Sequence, residues 1–445
     1  MNKKFLSFLV LFTIPAVILA EVDISGYVQT DTRLFSQQDF TFYWNENRFD
    51  LKLKASPSDD AQVYIEFWGR NFGFPAVNSS SDLMRPEKDK VSPWSLLFRE
   101  AYVDLYGFLV PNLDIRIGLQ RISWGTADKL NPTDNLNPDD LEDIWDFGRH
   151  LGSTAIKASY YLGDFTLTAV YIPVFTPATL PIEDWAGALS TPVELPPGLS
   201  LRNLSDKVIT PEKTLKESSM FGFKIEKNFF GYDFSLSYFY GRDDIPVVNK
   251  VKLTPVDVFG NTDVEVELVY PRIKVLGLDV AGALGKIGIW AEGALFFPEE
   301  VEVATDSTGL GRGIQRSMVL DKPYFRYVVG ADYSFKGGWY INGQYLHGFI
   351  HERKEEEMGD YFFFGIEKKL LRDKLKITLG SGAEIRSFTE IKDNYAFLFS
   401  PEIAYYPFDN AEVTIGYRFI DGKESVVFGR VKDNDEIYFK AKYSF

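Results

Sequence analysis

Apolar and polar residues alternate one by one along many stretches of the chain. In PYFRYVVGADYSF (323–335), Phe325, Tyr327 and Val329 fall on one face, and Arg326 and Asp332 fall on the other. A period of two predicts a β-strand with one apolar and one polar face. The same alternation occurs in NENRFDLKLKA (45–55), PNLDIRIGLQ (111–120), GYDFSLSYFY (231–240) and AEVTIGYRF (411–419).

The connections between these stretches alternate in length. Short polar turns are predicted at 56–60, 106–112, 162–164, 228–232, 284–286, 335–338, 369–374 and 406–410. Between them lie a short first loop at 36–39 and longer loops at 73–95, 122–151, 175–216, 242–262, 298–322, 351–358, 387–394 and 421–433. Short turns on one side and long loops on the other are typical of transmembrane β-barrels. The count predicts an all-β, antiparallel up-and-down barrel of about 18 strands (16–18), because stretches such as YFFFGIEKKL (361–370) lack clean alternation.

Both ends of the chain agree with export to a membrane. Residues 1–20 combine a Lys-Lys n-region, an apolar run and Ala20 before a cleavage point, which predicts a signal peptide. The remaining residues, 21–445, are predicted to form a single barrel domain. The last stretch, DEIYFKAKYSF, alternates and ends on Phe445. It resembles the assembly signal of bacterial outer-membrane barrels, in which Phe445 and Tyr443 would be read by the barrel-assembly machinery.

The composition narrows the class of protein further. Aromatic residues make up 16% of the chain and there is no cysteine, which argues against a small disulfide scaffold. A net charge of -15 makes nucleic acid an unfavourable partner. The mean hydropathy of -0.13 is compatible with a barrel whose inner face is polar.

The third loop on the long-loop side, residues 122–151, is the most unusual connection. It contains two Asn-Pro pairs, at 131–132 and 137–138, and is strongly acidic. Proline presets φ and disfavours helix in the residue before it, so these pairs predict fixed turns. PDDLEDIWDF (138–147) begins with proline and acids and places Leu141, Ile144 and Trp145 on one side, which predicts a short helix. The predicted turns and helix distinguish this connection from a flexible linker.

The architecture resembles that of general porins, in which the corresponding loop folds into the barrel and narrows the pore. This resemblance implies a homotrimer and a constriction in which loop carboxylates face strand arginines across the lumen. Charged walls and loops set ion selectivity, so an acidic loop there would favour cations. The alternative is an acidic surface patch that binds divalent cations between lipopolysaccharides. The candidate constriction residues are Asp128, Asp134, Asp139, Asp140 and Asp143, facing Arg48, Arg116 and Arg326.

A second resemblance covers about 30 residues at the start of this loop. GLQRISWG (118–125) followed by NPTDNLNP (131–138) is similar to a motif, G-x-Q-R-I-x-W-G and then N-P-x-D-x-x-N, in a group of uncharacterised bacterial outer-membrane barrel proteins. The resemblance implies that an ordered loop begins at Arg121 and Trp124. Arg121 would pair with a loop carboxylate, and Trp124 would either lie at the membrane interface or pack the loop on the wall.

Three other functions compete with a general channel. An enzyme is disfavoured, because the chain has three histidines and no G-x-S-x-G motif. A substrate-specific importer or exporter would need arginine or tyrosine ladders along the lumen, which the sequence does not distinguish from a general pore. A non-conducting structural or adhesive barrel would bind through the Pro/Thr-rich segment 176–214, whose composition resists regular structure.

The sequence therefore predicts a porin-like channel in the outer membrane of a bacterial cell, with short periplasmic turns and long extracellular loops. It would pass small hydrophilic solutes or ions by passive diffusion. Its surroundings would be outer-membrane lipid and lipopolysaccharide. No cofactor and no metal site are expected.

Overall fold

The computed structural model of the protein describes residues 22–189, 195, 197–257, 259–306 and 314–445. The predicted signal peptide lies outside these residues. Twenty-three strands occur in the described chain. They are Val22–Phe35 (β1), Thr41–Ser58 (β2), Ala61–Phe72 (β3), Trp94–Leu105 (β4), Leu113–Gln120 (β5), Ser153–Leu162 (β6), Phe165–Ile172 (β7), Ser200–Ile209 (β8), Met220–Phe229 (β9), Tyr232–Arg242 (β10), Val247–Pro255 (β11), Asn261–Val269 (β12), Arg272–Leu284 (β13), Ile287–Pro298 (β14), Val301–Asp306 (β15), Ile314–Leu320 (β16), Tyr324–Phe335 (β17), Trp339–His347 (β18), Asp360–Leu370 (β19), Leu375–Ile385 (β20), Tyr395–Tyr405 (β21), Ala411–Gly422 (β22) and Glu436–Ser444 (β23).

Eighteen of these strands form one closed antiparallel sheet, as the alternation predicted. Each barrel strand pairs with the barrel strands before and after it in the chain, and β1 also pairs with β23, where Val28 lies opposite Tyr443. The backbone of Phe445 extends this pairing through two 3.0 Å hydrogen bonds with Gly26. Closure leaves no unpaired strand edge, which is the condition for a sheet to cross lipid.

The faces of the strands follow the sequence alternation. In β10, Leu236 is 55% exposed and Ser237 is 5% exposed, so apolar side chains point outward and polar ones point into the barrel. The helical segments are short: Ser80–Leu83 (α1), Leu215–Ser218 (α2) and the 3₁₀ turns Glu183–Ala188, Glu355–Glu357 and Phe428–Val431. None of the helices in the described chain is long and apolar enough to span a membrane.

The long loops carry a second sheet that the sequence did not predict. Its five strands run in the order β16-β15-β11-β12-β8 and come from three successive loops. Strand β8 falls in the segment 176–214, so the prediction that this segment resists regular structure is wrong for 200–209. The loop predicted at 242–262 also continues past 262, because β12 belongs to this second sheet. The pairings of β8 with β12 and of β11 with β15 join different loops and leave no local signal, whereas β11–β12 and β15–β16 are hairpins within one loop.

The half of the barrel nearest the long loops is packed. Near its long-loop end, every barrel strand has an inward side chain that is almost fully buried: Phe35, Trp44, Trp68, Arg99, Gln120, Ala155, Ile172, Met220, Phe239, Val275, Phe296, Val328, Leu346, Tyr361, Glu384, Leu398, Ile420 and Tyr438. Loop residues complete this core, including Ile144, Trp185, Phe349 and Phe428. Four separate loops therefore fold onto the inner wall.

Candidate functional site

Loop 3, residues 122–151, is held on one side by a single carboxylate of the wall. Glu292 of β14 is 3% exposed and accepts hydrogen bonds from the backbone N–H groups of Thr126 (2.9 Å), Ala127 (3.2 Å) and Thr133 (2.7 Å). The Thr133 hydroxyl donates to the same group at 2.8 Å. Backbone donors that converge on one buried carboxylate form strong charge-assisted bonds, so Glu292 sets the path of the first half of the loop.

The opposite side of loop 3 is held by arginines of the first strands. Arg33 of β1 makes a two-pronged contact with Asp143, at 2.8 and 2.5 Å, and also contacts Asp31 at 2.8 Å. Two further arginines continue the row, with Arg70 2.9 Å from Glu142 and Arg99 2.8 Å from Asp140. We call this row of three ion pairs the paired flank of the loop.

The charges of the paired flank are matched. Burial alone would raise the pKa of Asp140, but the Arg149 and Arg99 guanidinium groups outweigh it and hold the pKa below its ordinary value. Burial also opposes ionisation of Asp143, yet Arg33 holds the pKa of that carboxyl well below its usual range. Both acids are therefore ionised and already neutralised by cations.

Residues 138–147 do not form the predicted helix. Their backbone is used instead in isolated bridges from Asp139 to His150 and from Asp140 to Thr179. The acids of this segment are fixed by separate arginines of the wall, and Ile144 enters the central core. Tertiary contacts in several directions override the local helix signals, because one helical face cannot satisfy all of them.

The motif residues at the start of loop 3 contact one another. Arg121 pairs with Asp134 at 2.6 Å. The Asn137 side chain accepts from the N–H of Ile122 at 2.7 Å and donates to the carbonyl of Gln120 at 3.1 Å. These contacts join the first and second parts of the motif and fix the point at which the chain leaves β5.

Trp124 and Gly125 seat the loop against the wall. Trp124 is 3% exposed in the inner core, and a side chain at Gly222 of β9 would lie 2.7 Å from its ring. Trp124 therefore lies inside the barrel and not at the membrane interface. Gly125 has a φ of +83°, and a Cβ there would lie 2.5 Å from the Glu292 carboxylate, so glycine suits this position in two ways.

Two of the three predicted wall arginines do not face a loop carboxylate. Arg48 contacts Glu46 at 2.8 Å and stacks 3.9 Å above the ring of Trp68. Arg116 pairs at 2.7 Å with Asp104 on the neighbouring strand. Both find a partner within the wall, because a cation on a strand is always close to the inward residues of the adjacent strands.

One of the predicted acids, Asp128, lies away from the wall arginines. The Asp128 side chain is exposed and 3.5 Å from the side-chain nitrogen of Asn342, while its backbone contacts Gln344. Sequence reasoning did not single out Arg33, Arg99 or Glu292. Their inward position could be inferred from alternation, but the loop atoms that they meet could not.

A cavity of about 60 Å³ lies between loop 3 and the wall on the side opposite the paired flank. Arg326 of β17 lines it, together with Asp139 of loop 3 and Asp244, which follows β10. The Asp139 N–H donates to the Asp244 carboxylate at 2.7 Å. Among the described residues, no Lys or Arg nitrogen comes within 4.0 Å of the Asp139 or Asp244 carboxylate, and no carboxylate comes that close to Arg326.

The cavity acids hold protons more readily than those of the paired flank. Burial raises the pKa of Asp139 well above its ordinary value, and the Asp244 carboxylate adds to the shift. Burial raises the pKa of Asp244 to about 6, and Asp243 adds to it. Burial lowers the pKa of His150, so this neighbour of Asp139 is neutral at pH 7.

No protein-family model and no curated protein matches the sequence. Solved structures do match. OccK11 (OpdR) of Pseudomonas aeruginosa is 8% identical; the match covers 95% of this chain and 96% of that chain, with a TM-score of 0.51. OccK9 (OpdG) of the same organism is 12% identical, with 96% of this chain and 98% of that chain covered and a TM-score of 0.50. The closed antiparallel barrel of this chain is therefore a fold that it shares with these two proteins.

Proposed function

We propose that the protein is an outer-membrane channel through which small hydrophilic solutes or ions diffuse, with loop 3 as its constriction. The observation that carries this proposal is a closed barrel of 18 strands with an apolar outer face, into which an acidic loop folds, and with inward polar side chains such as Ser237 and Asp279 outside the packed half. A barrel of this strand number is wide enough to hold a loop and an aqueous path.

Fewer of the residues predicted from sequence belong to the constriction that we propose. Asp140 and Asp143 are neutralised by arginines, and Asp134 is neutralised by Arg121. Ions that pass loop 3 would therefore respond mainly to charges without a partner. In the cavity these are the acids Asp139 and Asp244, the buried Arg326 and the exposed Lys129.

Single-channel recording in planar bilayers tests the proposal. Purified, refolded protein should conduct and show cation preference in a salt gradient, and the double variant Asp139→Asn, Asp244→Asn should reduce that preference. Asp59→Asn, in the exposed turn between β2 and β3, is the control and should change neither quantity. A folded barrel that never conducts would overturn the proposal.

The packed half of the lumen favours a second candidate, a barrel that does not conduct and binds a partner through its loop sheet. Strand β8 is exposed along its whole length, which would suit such a role. A closed bilayer record, together with cell-surface binding that is lost when 200–209 is deleted, would support this candidate.

The cellular setting is also proposed. Phe445 and Tyr443 would form the signal for the barrel-assembly machinery, and the exposed apolar outer face would contact lipid and lipopolysaccharide. Truncation of Phe445 should lower the amount of folded protein in the outer membrane. The homotrimer implied by the resemblance to porins stays a prediction, which mass measurement of the detergent-solubilised protein would test.

A further inference from the structure

The cavity beside loop 3 combines unpaired charges of both signs. Arg326 is 8% exposed, and its guanidinium donates to the backbone carbonyl of Glu352, in one contact at 3.1 Å. It also lies 4.7 Å from the ring centre of Phe296 and 5.2 Å from that of Tyr324. The two aromatic rings fix the plane of the Arg326 guanidinium. Its positive charge is not neutralised by the Glu352 carbonyl, which is itself neutral.

The opposite side of the cavity has an excess of carboxylate. The Asp139 carboxylate lies 3.3 Å from Nδ1 of His150, and the Asp244 carboxylate accepts from the N–H of Asp139. His150 also lies 3.1 Å from the carbonyl of Asn137, so Nδ1 carries the proton. Neither carboxylate is thus matched by a permanent cation among the described residues.

Among the described residues, the other charged groups that line the cavity have partners, except for the exposed Lys129. Asp134 pairs with Arg121, Arg353 pairs with Asp243, and the Arg242 guanidinium lies 2.7 Å from Glu217. Apart from Lys129, what remains is one buried cation, Arg326, and two partly buried carboxylates, Asp139 and Asp244, which line the same space without an ion pair between them. A buried ion without a partner is costly, so a bound group of opposite charge stabilises it.

We infer that this cavity binds a small zwitterion, whose carboxylate contacts Arg326 and whose ammonium group contacts Asp139 and Asp244. The inference rests on the proposed channel function, because it names the class of solute that would pause at the constriction. An α-amino acid with a short side chain carries both groups on one carbon. Its carboxylate accepts two parallel N–H bonds from a guanidinium, and its ammonium donates to the two acids.

The size and walls of the cavity agree with such a ligand. A volume of 60 Å³ corresponds to roughly four to six water positions, which is enough for glycine or alanine. Apolar groups also line the cavity, among them Leu141, Ile273 and Leu346. A short aliphatic side chain would fit against these, whereas a long one would not.

The protonation of the acids supplies a second property of the site. The raised pKa values of Asp139 and Asp244 mean that the pair keeps a proton at mildly acidic pH. An ammonium group binds the ionised pair better than the protonated one. The charged and titratable groups around the pair are Asp134, Asp243, His150, Arg121, Arg242, Arg326, Arg353, Lys129, Tyr270 and Tyr324. Binding should therefore strengthen as the pH rises through about 6.

Calorimetric titration of the refolded protein in detergent tests the inference without requiring conduction. L-alanine is the probe, and propionate and ethylamine are similar in size but carry only one of its two charges. Alanine should bind more tightly than either, and Arg326→Met should weaken it by at least about tenfold, as should the pair Asp139→Asn, Asp244→Asn. Arg116→Met, on the wall outside the cavity, is the matched control and should bind as the native protein does.

The outcomes separate this inference from the channel itself. Alanine binding no tighter than that of propionate and ethylamine, or unchanged in Arg326→Met, would overturn the zwitterion site even if the barrel conducts. Alanine binding by a barrel that shows no current would uphold the site and overturn the channel. Folding of each variant is checked by circular dichroism and by resistance to detergent denaturation. Correctly folded native protein that binds no alanine at pH 7.5 would also overturn the inference.

Discussion

The two sides of loop 3 use similar residues in opposite ways. On the paired flank, three arginines of β1, β3 and β4 each meet a loop carboxylate within 2.9 Å. On the cavity side, Arg326 and the two nearest unpaired acids stay apart although they line the same space. Matched charges anchor a loop, and unmatched charges remain available to a ligand. Loop 3 therefore contains both the acids that anchor it to the wall and acids of a candidate binding site. The sequence alone did not distinguish these two groups of acids.

The largest effect should come from breaking the paired flank at Arg33. Arg33→Met leaves Asp31 and Asp143 buried without their main cation, and the loss of one partner of a buried pair costs about 3–5 kcal/mol. Urea titration of both proteins in lipid vesicles gives their free energies of unfolding, and the difference between the two is the predicted cost.

Two further variants make the Arg33 result specific. Lys52→Met is the control, because Lys52 is half exposed and lies 3.8 Å or more from its acidic partners, so its loss should cost less than about 1 kcal/mol. Arg33→Met combined with Asp143→Leu should recover part of the lost stability. Equal losses in Arg33→Met and Lys52→Met would mean that the paired flank does not anchor the loop.

A smaller, pH-dependent effect is expected on the cavity side. The pKa of Asp244 is raised in the folded protein to about 6, so its contribution to stability is complete below its unfolded pKa, near 4, and is lost as the pH rises through about 6. Asp244→Asn does not titrate. Its stability relative to the native protein should therefore rise by up to about 3 kcal/mol between pH 4 and pH 8.

Thermal unfolding at the two pH values measures this difference. Asp128→Asn, at an exposed position of the same loop, is the control and should show no pH-dependent gain. A constant difference between Asp244→Asn and the native protein at both pH values would show that the Asp244 carboxyl is not held in its protonated form.

The smallest effect should come from Glu292→Gln. The N–H groups of Thr126 and Thr133 donate to different oxygens of Glu292, and glutamine offers a single acceptor oxygen. The variant therefore loses the charge and the acceptor of one of these N–H groups, which should cost about 1–2 kcal/mol. Loop 3 should then move more freely, so current fluctuations in the bilayer record should increase. Glu412→Gln, on an inward position of β22 that contacts Thr414, is a suitable comparison. Quiet, native-like current in Glu292→Gln would mean that the paired flank alone holds the loop.

Much of the barrel could be predicted from sequence, because each strand reports its two faces through its own alternation. β10 and β17 show this directly, with serines, Arg326 and Asp332 on the inward face. The strand pairings of the barrel follow as well, since neighbours in the chain are neighbours in the sheet. The loop sheet could not be predicted, because β8 pairs with β12 about 60 residues later.

The site was predictable only in part. Alternation placed Arg48, Arg116 and Arg326 inside the barrel, but which carboxylate each one meets depends on the path of loop 3. That path is determined by contacts such as Glu292 with Thr133, whose residues are more than 150 positions apart in the chain. The predicted helix at 138–147 failed for the same reason, since local signals do not record the arginines that compete for its acids.

The Arg33 contacts also lie where the barrel closes on itself. β1 and β23 are the first and last strands, and Lys440 of β23 lies 3.5 Å from Asp31, which contacts Arg33. Asp143 of loop 3 contacts the same arginine, so the loop meets the wall beside the seam between the first and last strands. A force that opens the barrel at this seam would separate Lys440 from Asp31 and so remove one cation from the charged cluster that surrounds Asp143.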